Sequence, residues 1–225
     1  MNKKSTYIIV LTIIICLLSF SCAHKKIEND KILYLRGIDA FEKKNYTNSA
    51  ESFKTLITNY PESPYLAEAR LKKADSYFNN TNYEEARDSY QQFLKLHPVN
   101  KEADRAQFNI GLSYFNELLS IDRDTAPTLK ALSEFEKINK DYPESSLIKD
   151  SQEKISICRK KLVKREMYVG KFYLKQGKYV AARRRFQFIL TNFKDLDVCP
   201  KALFYLTETY RLEGRLDEAE QLKKQ

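Results

Sequence analysis

Cysteine and histidine are the side chains of this protein best suited to chemistry, because they act as nucleophiles, general bases and metal ligands. The 225 residues contain four cysteines and two histidines. His24 and His97 have no serine, cysteine or carboxylate partner at a spacing typical of a catalytic site. The cysteines match neither a zinc-site pattern nor a redox CxxC pair, and there is no HExxH segment or phosphate-binding loop. The sequence therefore predicts a protein that is not an enzyme and that uses no metal or cofactor.

Cys22 is the cysteine with the clearest predicted role. A basic start precedes an apolar run over residues 7–20, which ends in LLSFSCAHKK. A membrane-spanning helix needs about 20 apolar residues, so this shorter run fits the core of a signal peptide better. A cysteine directly after such a run resembles a bacterial lipoprotein signal, in which it becomes the lipidated first residue. We therefore expect a signal peptide over residues 1–21, lipid on Cys22 and a tether over residues 22–28; ordinary cleavage and an uncleaved anchor are the alternatives.

Lipid on Cys22 would hold the rest of the chain to a membrane outside the cytoplasm by acyl chains. Ala23 and His24 carry no acidic retention signal, so we expect the periplasmic face of the outer membrane. Cys158 and Cys199 are then the remaining cysteines of the mature chain. Both lie in predicted helices as small apolar residues, and whether they pair as a disulfide stays open.

Composition excludes several classes of protein. Apolar residues make up 43% of the chain and aromatic residues 12%, which excludes a disordered polymer. Five Gly and six Pro are too few for a collagen-like or loop-dominated fold. The 39 Lys and Arg exceed the 30 Asp and Glu, which gives a net charge of +9. Because the basic residues are spread along the chain, we expect no nucleic-acid partner.

A repeat of 37 residues organises the body of the chain. Small residues recur at its centre: Gly37, Ala74, Gly111, Gly170 and Thr207. Each of the first four is followed by a large aromatic residue: Phe53, Tyr90, Phe135 and Phe186. This pattern is typical of tetratricopeptide repeats, in which a small residue lets two antiparallel helices approach and a large one fills the gap. The predicted fold class is therefore all-α, an α-solenoid of about five tetratricopeptide-like helix pairs.

The repeat also predicts the organisation of the chain. Helix pairs are expected near residues 29–60, 64–97, 100–142, 164–193 and 198–224. Repeats 1–3 thus occupy residues 29–142, with an insertion over residues 118–130 inside the third pair, and repeats 4–5 occupy residues 164–224. A linking helix over residues 146–163 has apolar residues at helical spacing. It is predicted either as part of one long helix that continues into the fourth pair or as one of two abutting helices.

Aromatic and apolar side chains also recur on the first helix of each pair, which lines the inner face of such arrays. Four residues after the small residue stand Phe41, Phe78 and Phe115, and three residues before it stand Tyr34, Leu71 and Phe108. All six are candidates for an apolar groove that holds an extended peptide. The alternative, which applies above all to Tyr34, Leu71 and Phe108, is packing between repeats.

Three consecutive arginines, Arg183, Arg184 and Arg185, lie on the second helix of the fourth pair. Guanidinium groups pair well with carboxylates, so an acidic protein surface is the predicted partner, with a solvated helix face as the alternative. Consecutive residues point in different directions around a helix, so one or two of them can face a given partner. Arg185 lies one residue before Phe186 and three after Ala182, and this phase predicts a half-buried side chain at the border of the packed face.

Several segments together resemble the BamD family, the lipoproteins of the outer-membrane β-barrel assembly machine. They are the lipoprotein signal, YPESPY at the start of the second repeat, the DRD-bearing insertion of the third, and FYLKQGKYVAARRRFQFIL and ALFYLTETYRLEGRLDEAE in the last two repeats. The order and spacing of these segments carry the resemblance, since a single repeat is unspecific.

The resemblance implies a scaffold on the periplasmic face of the outer membrane. Its repeats three to five would bind the POTRA domains of the barrel-forming subunit, with Arg185 at the position that contacts this subunit. Its repeats one and two would receive nascent outer-membrane proteins, and other lipoproteins of the machine would be further partners. The alternative is another periplasmic repeat adaptor, associated with the Tol–Pal system, peptidoglycan or secretion machinery.

Overall fold

The computed structural model describes residues 29–118 and 125–223, and the regular secondary structure in these ranges consists of ten α-helices. In chain order they are α1 (Asp30–Glu42), α2 (Tyr46–Asn59), α3 (Leu66–Asn79), α4 (Tyr83–Leu96), α5 (Ala103–Asn116), α6 (Ala126–Asp141), α7 (Ile148–Lys175), α8 (Tyr179–Asn192), α9 (Cys199–Leu212) and α10 (Leu216–Lys223). The predicted signal peptide, Cys22 and the tether lie outside the described residues. None of the ten helices has both the length and the apolar character needed to span a bilayer.

Consecutive helices pack against each other along the whole described chain, and the first helices of neighbouring pairs also touch, α3 with α5 and α7 with α9. The helices thus form antiparallel pairs that stack in chain order, and each pair buries its apolar face against the next. The predicted all-α solenoid of tetratricopeptide-like pairs is confirmed.

Prolines mark the ends of three second helices. Tyr60, His97 and Tyr142 follow α2, α4 and α6 with φ of −132°, −135° and −134°, outside the helical range. Each of them precedes a proline, whose ring disfavours helical backbone at the residue before it. The chain therefore leaves each of these helices in the same direction and enters the next pair.

In three of the pairs an aromatic ring of the second helix lies directly over a glycine of the first. The pairs are Gly37 with Phe53, Gly111 with Phe135, and Gly170 with Phe186, and all three rings are fully buried. A Cβ atom added at Gly111 would lie 2.7 Å from Cε1 of Phe135, well inside van der Waals contact. The glycine is therefore needed for the approach of the second helix, as the repeat pattern predicts.

The turn inside four of the pairs contains one residue in the left-handed region. These residues are Lys44 (φ 58°), Thr81 (φ 61°), Gly177 (φ 69°) and Gly214 (φ 81°), all at the same repeat position. Glycine adopts this conformation freely, whereas a β-branched residue such as Thr81 adopts it at a cost. The geometry of the helix pair thus imposes the left-handed residue even where the sequence does not supply glycine.

Helix α7 is the longest element of the described chain. Its 28 residues run from the predicted linking helix into the first helix of the fourth pair without a break. Of the two alternatives, the structure thus contains the single long helix. Helix α6 begins at Ala126, inside the segment over residues 118–130, so the last five residues of that segment are helical. Pro127 lies in the first turn of α6, where its missing N–H removes no helical hydrogen bond.

Candidate functional site

Phe41, Phe78 and Phe115 form a phenylalanine stripe, with one ring near the end of each first helix α1, α3 and α5. Each residue is half-buried. Phe41 contacts Tyr46 edge-on at a centroid distance of 5.4 Å. Phe78 makes the same contact one repeat later, at 5.6 Å from Tyr83. The second helix thus fixes the position of these rings while part of their surface stays open, so the stripe can anchor apolar side chains.

Two lysines lie over the phenylalanine stripe. Lys72 Nζ is 4.8 Å from the ring centroid of Phe41, and Lys154 Nζ is 5.3 Å from that of Phe115. Cation–π attraction holds an ammonium group at such a distance. A segment that carries both apolar and acidic side chains would therefore find both kinds of partner along the stripe.

The second set of groove candidates is packed between repeats. Leu71 is 5% exposed and Phe108 is 8% exposed, and each lies in a core cluster that includes residues of the following helices. Tyr34 stacks on Tyr65 with ring centroids 4.5 Å apart. Burial, and then the hydrogen bond with Glu68, raises the pKa of Tyr34 to about 12. The structure thus places Leu71 and Phe108 in the core and not on an open groove. The reason is that the position three residues before the small residue at the centre of each repeat faces the neighbouring helix pair.

A buried polar network, which spacing did not predict, joins the second and third pairs. The Asp75 carboxylate accepts hydrogen bonds from Tyr90 Oη at 2.7 Å and from Arg105 Nη1 at 2.9 Å. Asn109 Nδ2 donates to the Tyr90 hydroxyl at 2.9 Å. Burial and the nearby Asp75 raise the pKa of Tyr90 well above its usual value. The signal for this network in the sequence is Asp75 itself, a carboxylate at the repeat position that carries Ile38 in the first repeat.

The three arginines of α8 lie in different environments. The Arg183 side chain is 17% exposed, and its Nη1 lies 3.4 Å from Glu213 Oε2. Arg184 is exposed. The Arg185 side chain is 44% exposed, and its Nη1 lies 3.1 Å from Glu166 Oε2. The cluster is therefore one sheltered arginine beside two that face solvent.

The prediction that Arg185 is half-buried is wrong, and the sheltered arginine is Arg183. The fifth helix pair covers the side of α8 that carries Arg183, because the turn after α9 brings Glu213 against it. Arg185 is rotated away from this side by two residues, which is about 200° around a helix. An ion pair as open as that of Arg185 stabilises the fold by about 0–1 kcal/mol, so this guanidinium can exchange its partner at little cost.

Cys158 is buried, and the Cys199 thiol makes a hydrogen bond to the backbone. Cys158 and Cys199 are free thiols. Burial raises the pKa of Cys158 to about 11, which keeps the thiol protonated and unreactive at neutral pH. The Cys199 thiol donates to the Phe193 carbonyl oxygen at 3.2 Å. Across residues 29–118 and 125–223, no group of three or more His, Cys, Asp or Glu residues is placed to hold a metal ion.

Comparison with known proteins identifies the family of this chain. The sequence matches the YfiO family, described as outer membrane lipoprotein, over residues 27–225. Outer membrane protein assembly factor BamD of Rickettsia prowazekii is 32% identical, over 96% of this chain and 88% of the relative. The protein of the same name from Caulobacter vibrioides is 28% identical, over 84% of this chain and 62% of the relative.

A third relative of the same name, from Neisseria meningitidis, is 26% identical over 81% of this chain and 72% of its own length. Among solved structures, MamA aligns over 87% of this chain and 88% of its own, with a TM-score of 0.41 and 15% identity. The family match spans every helix of the described structure. The family match over residues 27–225 and the BamD relative that is 32% identical show that this chain belongs to the YfiO family of outer-membrane lipoproteins.

Proposed function

We propose that this chain is a lipid-anchored periplasmic scaffold of the machine that assembles β-barrel proteins in the outer membrane. The observation that carries the proposal is the family match over residues 27–225, together with relatives that are outer membrane protein assembly factors. The stacked helix pairs support it, because such arrays bind partners along the face formed by their first helices. The scaffold acts by holding other proteins in position and carries out no chemical step of its own.

Nascent barrel proteins are the proposed ligands of the phenylalanine stripe. A barrel strand carries apolar side chains at every second residue and is extended before it is paired. Three half-buried rings on successive first helices offer repeated apolar contacts to such a segment. The lysines over Phe41 and Phe115 add attraction for its acidic side chains.

The periplasmic POTRA domains of the barrel-forming subunit are the proposed partners of repeats three to five, and other lipoproteins of the machine would bind beside them. Arg184 and Arg185 are exposed on α8 and offer guanidinium groups to an acidic partner surface. Arg184 makes no ion pair with the described part of the chain, and Arg185 is held only by an open pair with Glu166. Arg183 is committed to Glu213 and is proposed to stabilise the fold.

Substitution of Phe78 by alanine tests the client site. We expect about 1–3 kcal/mol weaker binding of an extended peptide that has the alternating pattern of one barrel strand. Phe188→Ala, which removes an exposed ring on α8, is the matched control and should leave the affinity unchanged. Melting and peptide affinity are measured on the same variants. Lost stability with unchanged affinity would show that Phe78 is a packing residue.

Charge reversal on α8 tests the contact with the barrel-forming subunit. Arg184→Glu leaves the pair of Arg185 with Glu166 intact, and it should weaken binding of the purified POTRA domains by about 2 kcal/mol or more, because two like charges then meet. Lys149→Glu, on the exposed start of α7, should change the affinity by less than about 1 kcal/mol. Equal affinities for the two variants in a calorimetric titration would mean that the arginine face is only solvated.

Anchoring is tested by fractionation of cells that express Cys22→Ser. The variant should appear in the soluble periplasmic fraction or remain unprocessed, whereas the unaltered chain should sediment with the outer membrane. A serine variant that is processed normally and still found in the outer membrane would refute lipidation at Cys22.

A further inference from the structure

An apolar hollow lies between α7 and α9, the first helices of the fourth and fifth pairs. Its volume is about 840 Å³, which is within the range of about 300–1,000 Å³ typical of ligand pockets. Val163 and Met167 form part of its wall and are 3% and 8% exposed. The apolar surface is thus recessed between two helices. It is separate from the phenylalanine stripe, which lies on α1, α3 and α5.

Large side chains are exposed at the edge of this hollow. Tyr168 is 49% exposed, Phe172 is 52% exposed, and Leu212 of α9 is 45% exposed. Scattered exposed apolar residues are common, but a contiguous group beside a recessed apolar surface marks a binding site.

Four lysines surround the hollow, and no aspartate or glutamate of the described chain lines it. Lys164, Lys171, Lys175 and Lys201 are exposed, and none of them makes an ion pair within residues 29–118 and 125–223. Lys171 instead lies over the Tyr205 ring, with Nζ 5.0 Å from its centroid. A rim of one charge around an apolar centre selects a partner of opposite charge.

The spacing of the rim residues indicates the shape of the partner. Lys164, Tyr168, Lys171 and Lys175 follow one another at intervals of four, three and four residues, so they share one face of α7. From first to last they extend about 16 Å along the helix axis. A straight positively charged ridge of this length beside a hollow matches an amphipathic helix of about three turns.

We infer that the hollow between α7 and α9 binds an acidic amphipathic helix of a partner protein, with its apolar side chains in the hollow and its carboxylates on the lysine rim. A lipid surface is the alternative ligand of the lysine rim, and the vesicle measurement below distinguishes it from a peptide. This inference concerns a surface other than the phenylalanine stripe and the arginine face of α8. The hollow lies in repeats four and five, so the inference rests on the proposed function of these repeats in partner binding, but the peptide test below can fail while that function holds.

Binding of designed peptides to the purified full-length chain tests the inference. The probe is a fluorescent amphipathic helix with leucines on one face and glutamates at the borders of that face, and its counterpart has lysines in place of the glutamates. We expect the acidic peptide to bind at least tenfold more tightly. The double variant Lys164→Glu, Lys201→Glu should reverse this preference, and Lys149→Glu should leave it unchanged. Glutamate in place of Lys201 lies in the first turn of α9, where negative charge suits the helix dipole, so the fold is retained.

Two further measurements distinguish a peptide from a lipid surface as the ligand of the hollow. Tyr168→Ala removes an exposed ring and should weaken the acidic peptide at least tenfold without lowering the melting temperature. Binding of the chain to phosphatidylglycerol vesicles should be the same with and without the rim reversal. Equal affinity for the two peptides, or no change of preference on rim reversal, would overturn the inference. Vesicle binding that is lost on rim reversal while peptide binding persists would also overturn it and would assign the lysines to the membrane surface.

Discussion

Replacement of Gly111 by alanine tests the packing of an aromatic ring over glycine within a helix pair. In an ordinary helix interior this change stabilises a protein by about 0.8–1 kcal/mol. Here the new Cβ would lie 2.7 Å from Cε1, 2.8 Å from Cδ1 and 3.1 Å from Cζ of Phe135. The ring is fully buried and lies 5.3 Å from the Phe108 ring, centroid to centroid, so it has little room to move. Overpacking of this kind costs about 1–3 kcal/mol.

The net expectation is a loss of up to about 2 kcal/mol in the free energy of unfolding, since the overpacking cost exceeds the gain in helix propensity. For a chain of this size the melting temperature should fall by up to about 8 °C. Urea and thermal unfolding followed by circular dichroism measure both quantities. Gly170→Ala should behave alike, because its Cβ would lie 2.6 Å from Cε1 of Phe186.

A double-mutant cycle isolates the contact. Phe135→Leu removes the ring atoms that the new methyl group would meet, although it destabilises the protein on its own. In that background Gly111→Ala should be neutral or stabilising, with a coupling energy of about 1–3 kcal/mol. An increase in stability for Gly111→Ala alone, of the size seen in exposed helices, would refute the argument that the ring requires glycine.

Three other expectations follow from single residues. Thr81→Gly should raise the free energy of unfolding by about 1 kcal/mol in urea, because threonine holds φ at 61° there; a loss would show that the turn is not strained. Tyr90→Phe should lower the melting temperature and cost about 1.5–3 kcal/mol, because the buried Asp75 loses a donor at 2.7 Å. Cys158 should react with iodoacetamide far more slowly than Cys199 in the native chain. Its pKa rises from 9.0 to about 11 on folding, so the stability it contributes is present below pH 9.0 and is lost as the pH rises through 11.

The fold could be predicted because its determinants recur along the chain. A glycine or alanine at the centre of the first four repeats, with an aromatic residue 16 residues later in three of them, defines both helices of a pair and their contact. Phe135 illustrates this, because it keeps its partner Gly111 even though the insertion displaces it by eight residues. Local pattern and tertiary packing require the same residues, so one can be read from the other.

The turns and surfaces were harder to predict, because they depend on what a neighbouring element covers. The left-handed conformation of Thr81 arises from the geometry of the helix pair, and nothing in the type of this residue indicates it. Arg183 and Arg185 differ in exposure because the turn after α9 covers one side of α8. Tyr168 is exposed because it lies on a side of α7 that the described helices leave open. Spacing places these residues on a helix or in a turn, whereas their environments follow only from the assembled array.

Because α7 is one unbroken helix, the number of residues in it determines the angle between the repeats before it and those after it. The phenylalanine stripe lies before this helix, and the lysine-rimmed hollow lies on it and beyond it. One residue inserted between Ile148 and Lys164 would turn everything downstream by about 100° and advance it by about 1.5 Å, whereas an insertion of seven would nearly restore the original direction. The length of helix α7 thus sets the direction in which the phenylalanine stripe and the lysine-rimmed hollow face relative to each other.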